Sequence, residues 1–159
     1  MNQRAKTVAE RIKSFSDEVI AFVEKSSDAD WMKTCDWEQW SMGVTARHLG
    51  AAHLSVFNLA DMILKGQALP PLNMDQINES AKKDAQAHAG CSRAEALDEL
   101  HKNSAKMVAF VSGLNDDDLD RKGSMPAFGG DVSVEQLIDY VIFISAAKHF
   151  KSMQTAVAT

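Results

Sequence analysis

Residues 41–66, SMGVTARHLGAAHLSVFNLADMILKG, predict a long helix with both of its ends marked. Ser41 is a favourable N-cap residue, and Lys65 with Gly66 supplies a C-terminal signal before two prolines that bar continuation. Between these ends, apolar side chains recur at helical spacing, at Leu49, Ala52, Val56, Leu59 and Ile63. The stretch therefore predicts an amphipathic helix with one buried face.

Three further long helices are predicted on either side of this one. Residues 3–25 carry a stripe with steps of three and four residues, formed by Ala5, Val8, Ile12, Phe15, Val19 and Phe22. Ser92 and Ser133 each begin a capping box, which marks the start of the third and fourth helices. Residues 73–90 are polar and predict a short helix with loops. The chain is therefore expected to be one all-α domain, residues 1–159, folded as a four-helix bundle with a long crossover between helices 2 and 3.

The connections carry weaker signals. The run DDDLD at 116–120 is interpreted as a charged helix end that leads into a loop, and KGSMPAFGGD at 122–131 as a loop. No stretch shows the sustained alternation of apolar and polar residues, bounded by turn residues, that predicts a strand. Three tryptophans between the first two helices are expected to cover one end of the core rather than stack a ligand: Trp31, Trp37 and Trp40.

Composition narrows the class of protein. Seventeen basic and 22 acidic residues give a net charge of −5, which argues against a nucleic-acid surface. The sequence has no apolar run of the roughly 18–20 residues that a membrane span needs, and its N-terminus lacks the pattern of a secretory signal. The two cysteines, Cys35 and Cys91, have no metal-binding spacing and are expected to be free thiols in a cytoplasmic protein.

No phosphate-binding loop, nucleophile elbow or HExxH motif is present, so the histidines are the candidate site residues. His48 and His53 are five residues apart, a spacing that leaves their rings about 140° apart around a helix. They are therefore not expected to bind one metal together. His48 adjoins the apolar face and has small neighbours, whereas His53 is expected at the polar surface or at an interface rim.

His149 lies in the last helix, in register with Ile142, Ser145 and Ser152. A histidine on such a face is most often a hydrogen-bonded core residue. Paired with His48 across two helices, it is also a candidate ligand for a divalent cation, although neutral serine is a poor third ligand for zinc. The two histidines on polar segments are expected to face solvent: His88 and His101.

The order and spacing of four segments resemble the DinB superfamily over nearly the whole chain. They are DADW at 28–31, the run with Trp40, Ser41, His48 and Leu49, residues 114–138, and the closing HFKSMQ at 149–154. The resemblance implies a four-helix bundle, commonly dimeric, with a divalent metal held by three histidines. One histidine comes from helix 2 and two, four residues apart, from helix 4.

Carried onto this sequence, the resemblance assigns the ligands His48 and His149, but Ser145 occupies the position of the third. A divalent metal (Zn, Ni, Fe or Mn) is therefore expected to be bound weakly or to be absent. Three alternatives stay open: a metal-free site with the histidines bonded to Ser145, water or a small ligand; weak binding through water on Ser145; and completion by an unidentified carboxylate. The metal-free alternative is favoured.

The resulting hypothesis is a DinB-like protein with a degenerate metal site at the bundle axis. If the protein is an enzyme, the resemblance implies a metal-dependent transferase or isomerase that uses a low-molecular-weight thiol, acting as a homodimer. The alternatives are a metal-free small-molecule binding module and a structural bundle that dimerises without catalysis. No catalytic residue is assigned from the sequence.

Overall fold

The computed structural model describes residues 2–158 and confirms the four-helix bundle. Its elements are α1 (Gln3–Lys25), α2 (Asp28–Trp31), β1 (Thr34–Cys35), β2 (Trp40–Ser41), α3 (Met42–Leu64), α4 (Met74–Ala87), α5 (Arg93–Ser112), α6 (Asp116–Asp120), β3 (Lys122–Met125), β4 (Gly130–Ser133), α7 (Val134–Ile138), a π-helical segment (Asp139–Ala146) and α8 (Ala147–Ala158). The bundle consists of α1, α3, α5 and the last helix, residues 134–158, while α4 lies in the crossover between α3 and α5.

The predicted helix starts are confirmed by their capping bonds. Ser41 Oγ accepts a hydrogen bond from the Val44 N–H, and Ser92 and Ser133 form complete capping boxes. Each cap satisfies backbone N–H groups that have no partner inside the helix. The sequence pattern therefore placed the starts of α3, α5 and α7 correctly.

Two predicted loops contain regular structure. Residues 116–120 form a separate helix, α6, because the Asn115 side chain accepts a hydrogen bond from the Asp118 N–H and starts a new turn. Residues 122–131 lie in the antiparallel hairpin of β3 and β4, which turns through Gly129 and Gly130, both with positive φ. A second, smaller hairpin pairs β1 with β2. The interpretation of 116–120 as the end of the preceding helix and that of 122–131 as a loop were therefore both wrong.

Two apolar clusters fill the bundle, one toward each end. The first contains residues from all four long helices and from the hairpin, among them Ile12, Val56, Met107, Met125, Leu137 and Ile142. The second lies around Trp31 and includes Val19, Leu49, Leu100, Phe150 and Met153. No helix in the described part of the chain combines the length and apolarity that crossing a bilayer requires.

Trp31 packs directly on the backbone at the start of α3. A Cβ atom at Gly43 would lie 2.5 Å from Trp31 Cε2, so only glycine leaves room for the indole. The indole N–H donates to the Cys91 carbonyl oxygen at 3.1 Å, and the Cys91 thiol in turn donates to the Gly43 carbonyl oxygen. These contacts hold the loop after α1 against α3 and the start of α5.

His53 is completely buried, so its expected place at the surface or at a rim was wrong. Its Nδ1–H donates to the Leu49 carbonyl oxygen at 2.8 Å, its Nε2 lies 3.2 Å from Ser16 Oγ, and its ring stacks on Phe15. The rotation between His48 and His53 was estimated correctly. The error arose because α3 is buried on several sides, and α1 covers the side that carries His53.

We expect Gly43→Ala to destabilise the protein by about 1–3 kcal/mol, because the added methyl group would overlap the Trp31 indole. Urea denaturation of the variant and the parent protein measures this. Gly90→Ala is the matched control, since a Cβ there would meet no atom within 4 Å. Equal stability of the two variants would contradict the close packing of Trp31 on α3.

His53 is expected to make the protein less stable in mild acid. Burial lowers the pKa of His53 below its usual value of 6.5, partly opposed by the hydrogen bond to the Leu49 carbonyl oxygen. The unfolded chain therefore binds a proton more readily, and the free energy of unfolding falls as the pH drops below about 6.5. His53→Gln should flatten this dependence in urea denaturation between pH 7.5 and 5.5, whereas His101→Gln, at an exposed histidine, should leave it unchanged.

Candidate functional site

The structure brings the two predicted ligand residues together. His48 projects from α3 and His149 from α8, and their ring centroids are 4.8 Å apart with an angle of 72° between the ring planes. The edge of one ring thus faces the other. The two remaining surface histidines lie where expected: His101 is largely exposed, and His88 is half-exposed at the end of α4.

Two tryptophans complete an aromatic cluster around these rings. Trp40 lies parallel to His149, with 9° between planes and 5.8 Å between centroids, and meets His48 at 5.1 Å. The Trp37 ring centroid lies 4.8 Å from that of His149. Trp31 and Trp40 are buried or half-buried, as expected for covers of the core, but Trp37 is 57% exposed. The expectation that all three cover the core therefore fails at Trp37.

A buried carboxylate holds His149 from behind. Glu38 Oε2 lies 2.5 Å from His149 Nδ1, and Glu38 Oε1 lies 2.5 Å from Ser152 Oγ. The Glu38 side chain is only 5% exposed. Burial would raise the pKa of Glu38, but the hydrogen bonds from His149 and Ser152 outweigh it and hold that pKa below its usual value. The carboxylate is thus ionised at neutral pH and accepts from both groups.

This bond determines which nitrogen of the His149 ring carries the hydrogen when the ring is neutral. An ionised carboxylate offers no hydrogen, so His149 Nδ1 must carry the hydrogen and donate it. The Nε2 lone pair is then free to accept a proton or to bind a ligand. The same arrangement, a carboxylate behind one imidazole nitrogen, orients histidines that act in catalysis and those that bind metals.

The turn between β1 and β2 positions Glu38. Residues 36–39 form this turn, which the pairing of Cys35 with Trp40 closes. Gln39 adopts a left-handed conformation (φ 61°), and its N–H donates to the Cys35 carbonyl oxygen. Within the turn, adjacent side chains differ in exposure: Trp37 is exposed and Glu38 is buried. The turn therefore places the Glu38 carboxylate in the interior and the Trp37 indole at the surface.

His48 is neutral at physiological pH. Burial, with a smaller contribution from the nearby His149, lowers the pKa of His48 to about 4. A salt bridge of 2.8 Å between Arg47 and Asp84 joins α3 to α4 next to it. The cluster therefore offers an uncharged imidazole beside His149.

The cysteines are free, as predicted, and neither is an activated nucleophile. Burial raises the pKa of both the Cys35 and the Cys91 thiols. A buried thiol with a raised pKa is largely protonated and therefore a weak nucleophile.

Ser145 lies in the π-helical segment of the last helix. Within residues 2–158, its side chain makes no hydrogen bond to either histidine. Ala147 N–H donates to the carbonyl oxygen of Ile142, five residues earlier, so the helix register changes just before His149. π-Helical turns are rare and often occur at functional sites. The irregularity therefore lies between the part of the helix that packs in the core and the part that carries His149.

The donors do not fit a tightly bound catalytic metal. Such sites use three protein ligands with an open fourth position, and His48 and His149 supply two. The part of the chain that the structure describes contains no group of three His, Cys, Asp or Glu side chains that could hold a metal ion. Glu38, the carboxylate nearest to His149, is occupied by two hydrogen bonds.

Sequence reasoning missed Glu38, and it placed Ser152 on the same face as His149 without giving it a role in the site. Ser152 is three residues after His149, a spacing that places both on one helical face. Glu38 lies between two tryptophans in the sequence WEQW, just before the cap of α3. An acidic residue amid large apolar side chains is a signal for a buried, paired carboxylate, but its partner is 111 residues away in the chain.

Comparisons with known proteins agree with the fold. A search of curated proteins found no significant match. Among solved structures, the chain resembles YfiT from Bacillus subtilis, described as a probable metal-dependent hydrolase with an unusual four-helix bundle topology, with a TM-score of 0.72 and 15% sequence identity. The similarity covers 96% of this chain and 83% of YfiT. Residues 17–143 match the family model of the DinB superfamily, and the chain therefore belongs to that superfamily.

Proposed function

We propose that the protein binds a small molecule at the histidine cluster and that His149 acts there as a general base. The observation that carries this proposal is the hydrogen bond between Glu38 and His149 Nδ1. It holds the ring in the tautomer whose Nε2 lone pair is free, while Ser152 holds the other carboxylate oxygen. A base fixed in this way needs no reorientation before it accepts a proton.

A thiol is the class of proton donor that suits this base best. An ordinary imidazole and an ordinary thiol have pKa values of about 6.5 and 8.5, a gap of about two units, whereas bulk water has a pKa of about 15.7. Transfer of a proton from a thiol to an imidazole is therefore much less unfavourable than transfer from water. This favours thiol-dependent transfer, as the family resemblance implied, over the hydrolysis ascribed to YfiT.

Weak binding of a divalent cation is the second candidate function. Two neighbouring imidazoles and a carboxylate behind His149 Nδ1 support it, because metal-bound histidines usually donate their other N–H to such a group. With Ser145 in place of a third ligand, the affinity should be low. Homodimerisation and a cytoplasmic location stay predictions from the sequence.

Glu38→Gln should remove the charge that selects the His149 tautomer and destabilise the protein by about 1.5–3 kcal/mol, the contribution of a hydrogen bond to a charged group. Nitrogen-detected NMR of the histidine rings reports which nitrogen carries the hydrogen, and urea denaturation reports stability. Asp36→Asn is the matched control, since it neutralises an exposed carboxylate on the same turn. The base proposal is wrong if His149 of the unmodified protein carries its hydrogen on Nε2 at neutral pH.

Ser145→His should raise the affinity for Zn²⁺ or Ni²⁺ by at least about tenfold if position 145 converges with His48 and His149. Even the loss of a group that is hydrogen-bonded to a metal ligand lowers metal affinity about 10–100-fold, and a ligand itself should matter at least as much. Isothermal titration calorimetry with each metal measures this, and His149→Ala in the same background should abolish the gain. Ile144→His, at the exposed neighbouring position, is the control. Equal affinities for the two histidine variants would rule out a metal site built on these three positions.

A further inference from the structure

We propose that Trp37 is a movable cover over His149 and that a planar aromatic group of the ligand takes the place of its indole. This inference rests on the proposed function, because it concerns access to the base assigned there. It adds the route of entry and the chemical class of the ligand. The observations that support it are the burial of the base, the exposure of an indole that makes no hydrogen bond within the described residues, and the parallel stacking of Trp40 on the imidazole.

The base is almost closed to solvent, and an exposed side chain covers it. The His149 and Glu38 side chains are 11% and 5% exposed, whereas Trp37 is 57% exposed with its ring 4.8 Å from the imidazole. A ligand that reaches His149 Nε2 must therefore displace a neighbouring group. Among the rings that contact His149, Trp37 is the one that lies mostly in solvent.

No hydrogen bond holds the Trp37 indole. Its N–H donates to no residue in the described range 2–158, whereas the Trp31 N–H bonds to the Cys91 carbonyl oxygen. The Lys148 ammonium lies 6.0 Å from the Trp37 ring centroid. A cation–π contact at an exposed site contributes about 0.5–1 kcal/mol. Rotation of Trp37 away from His149 therefore breaks ring contacts but no hydrogen bond of the indole.

Opening does not require Glu38 to move. The turn that carries both residues stays closed through the pairing of Cys35 with Trp40 and the hydrogen bond between the Gln39 N–H and the Cys35 carbonyl oxygen. Rotation about the Trp37 side-chain bonds leaves this backbone unchanged. The tautomer of His149 is thus preserved while its ring becomes accessible.

The space that Trp37 vacates suits a flat, unsaturated group. Trp40 already lies parallel to the imidazole, within 9°, so the site stabilises stacked rings. An aromatic ligand placed where the indole was would pack on the His149 ring and lie near the Lys148 ammonium, as the indole does. An aliphatic ligand of similar volume would lose both interactions.

The cover is tested by the rate at which diethyl pyrocarbonate modifies His149, measured by peptide mass spectrometry. Trp37→Ala should raise this rate several-fold, whereas Met32→Ala, which truncates another exposed apolar side chain in the connection between α1 and α3, should not. Within each sample, exposed His101 should react quickly and buried His53 slowly in all variants. An unchanged rate at His149 in Trp37→Ala overturns the proposal, and a faster rate at His53 would reveal general unfolding instead of an opened cover.

The ligand class is tested by refilling the vacated space in Trp37→Ala. Free indole should slow the modification of His149 back toward the rate in the unmodified protein, and cyclohexanol at the same concentration should not. Protection by both probes or by neither would overturn the assignment to planar aromatic groups.

The two measurements distinguish a wrong proposal about the cover from a wrong proposal about the base. Modification rates depend on access to His149, whereas the NMR tautomer of His149 depends on Glu38. A Trp37→Ala variant with unchanged reactivity and an Nδ1–H tautomer would reject the cover alone. Increased reactivity with an Nε2–H tautomer would reject the base alone.

Discussion

One buried, ionised carboxylate determines the arrangement of the whole site. Glu38 leaves water only because His149 and Ser152 donate to its two oxygens, and a buried charge without such partners would be costly. The hydrogen bonds that Glu38 accepts join the turn at 36–39 to the last helix across the bundle. The orientation of His149, the tautomer of its ring and the placement of the neighbouring tryptophans all follow from that connection.

The fold could be predicted well because its determinants are local. Serine caps at 41, 92 and 133 mark helix starts, and apolar stripes mark the buried faces. The errors arose in short segments, where one or two residues decide the local structure. Asn115 starts a new helical turn where an acidic run suggested an end, and Gly129 with Gly130 turns a hairpin where a loop was expected.

The site could be predicted only in part because its contacts join distant segments. His48 and His149 were considered as a pair from their faces on two helices, the family resemblance then assigned both as ligands, and their rings do lie together. Glu38 was missed, since an acid between two tryptophans indicates burial but does not show that its partner is a histidine 111 residues away. His53 was misplaced because periodicity shows the most apolar face of α3 and not how many neighbours surround that helix.

The π-helical segment at 139–146 has a consequence for how such a site changes over evolution. A π-turn carries one more residue than an α-turn, so deleting a single residue there would restore regular α geometry. The residues beyond, His149 and the core residues Phe150 and Met153 among them, would keep about the same orientation, because the shortened turn still completes one revolution. A one-residue gap in an alignment at this segment is thus compatible with both the shared core and the shared histidine cluster. A gap elsewhere in the last helix is not, since removing one residue from a regular α-helix rotates everything beyond it by about 100°.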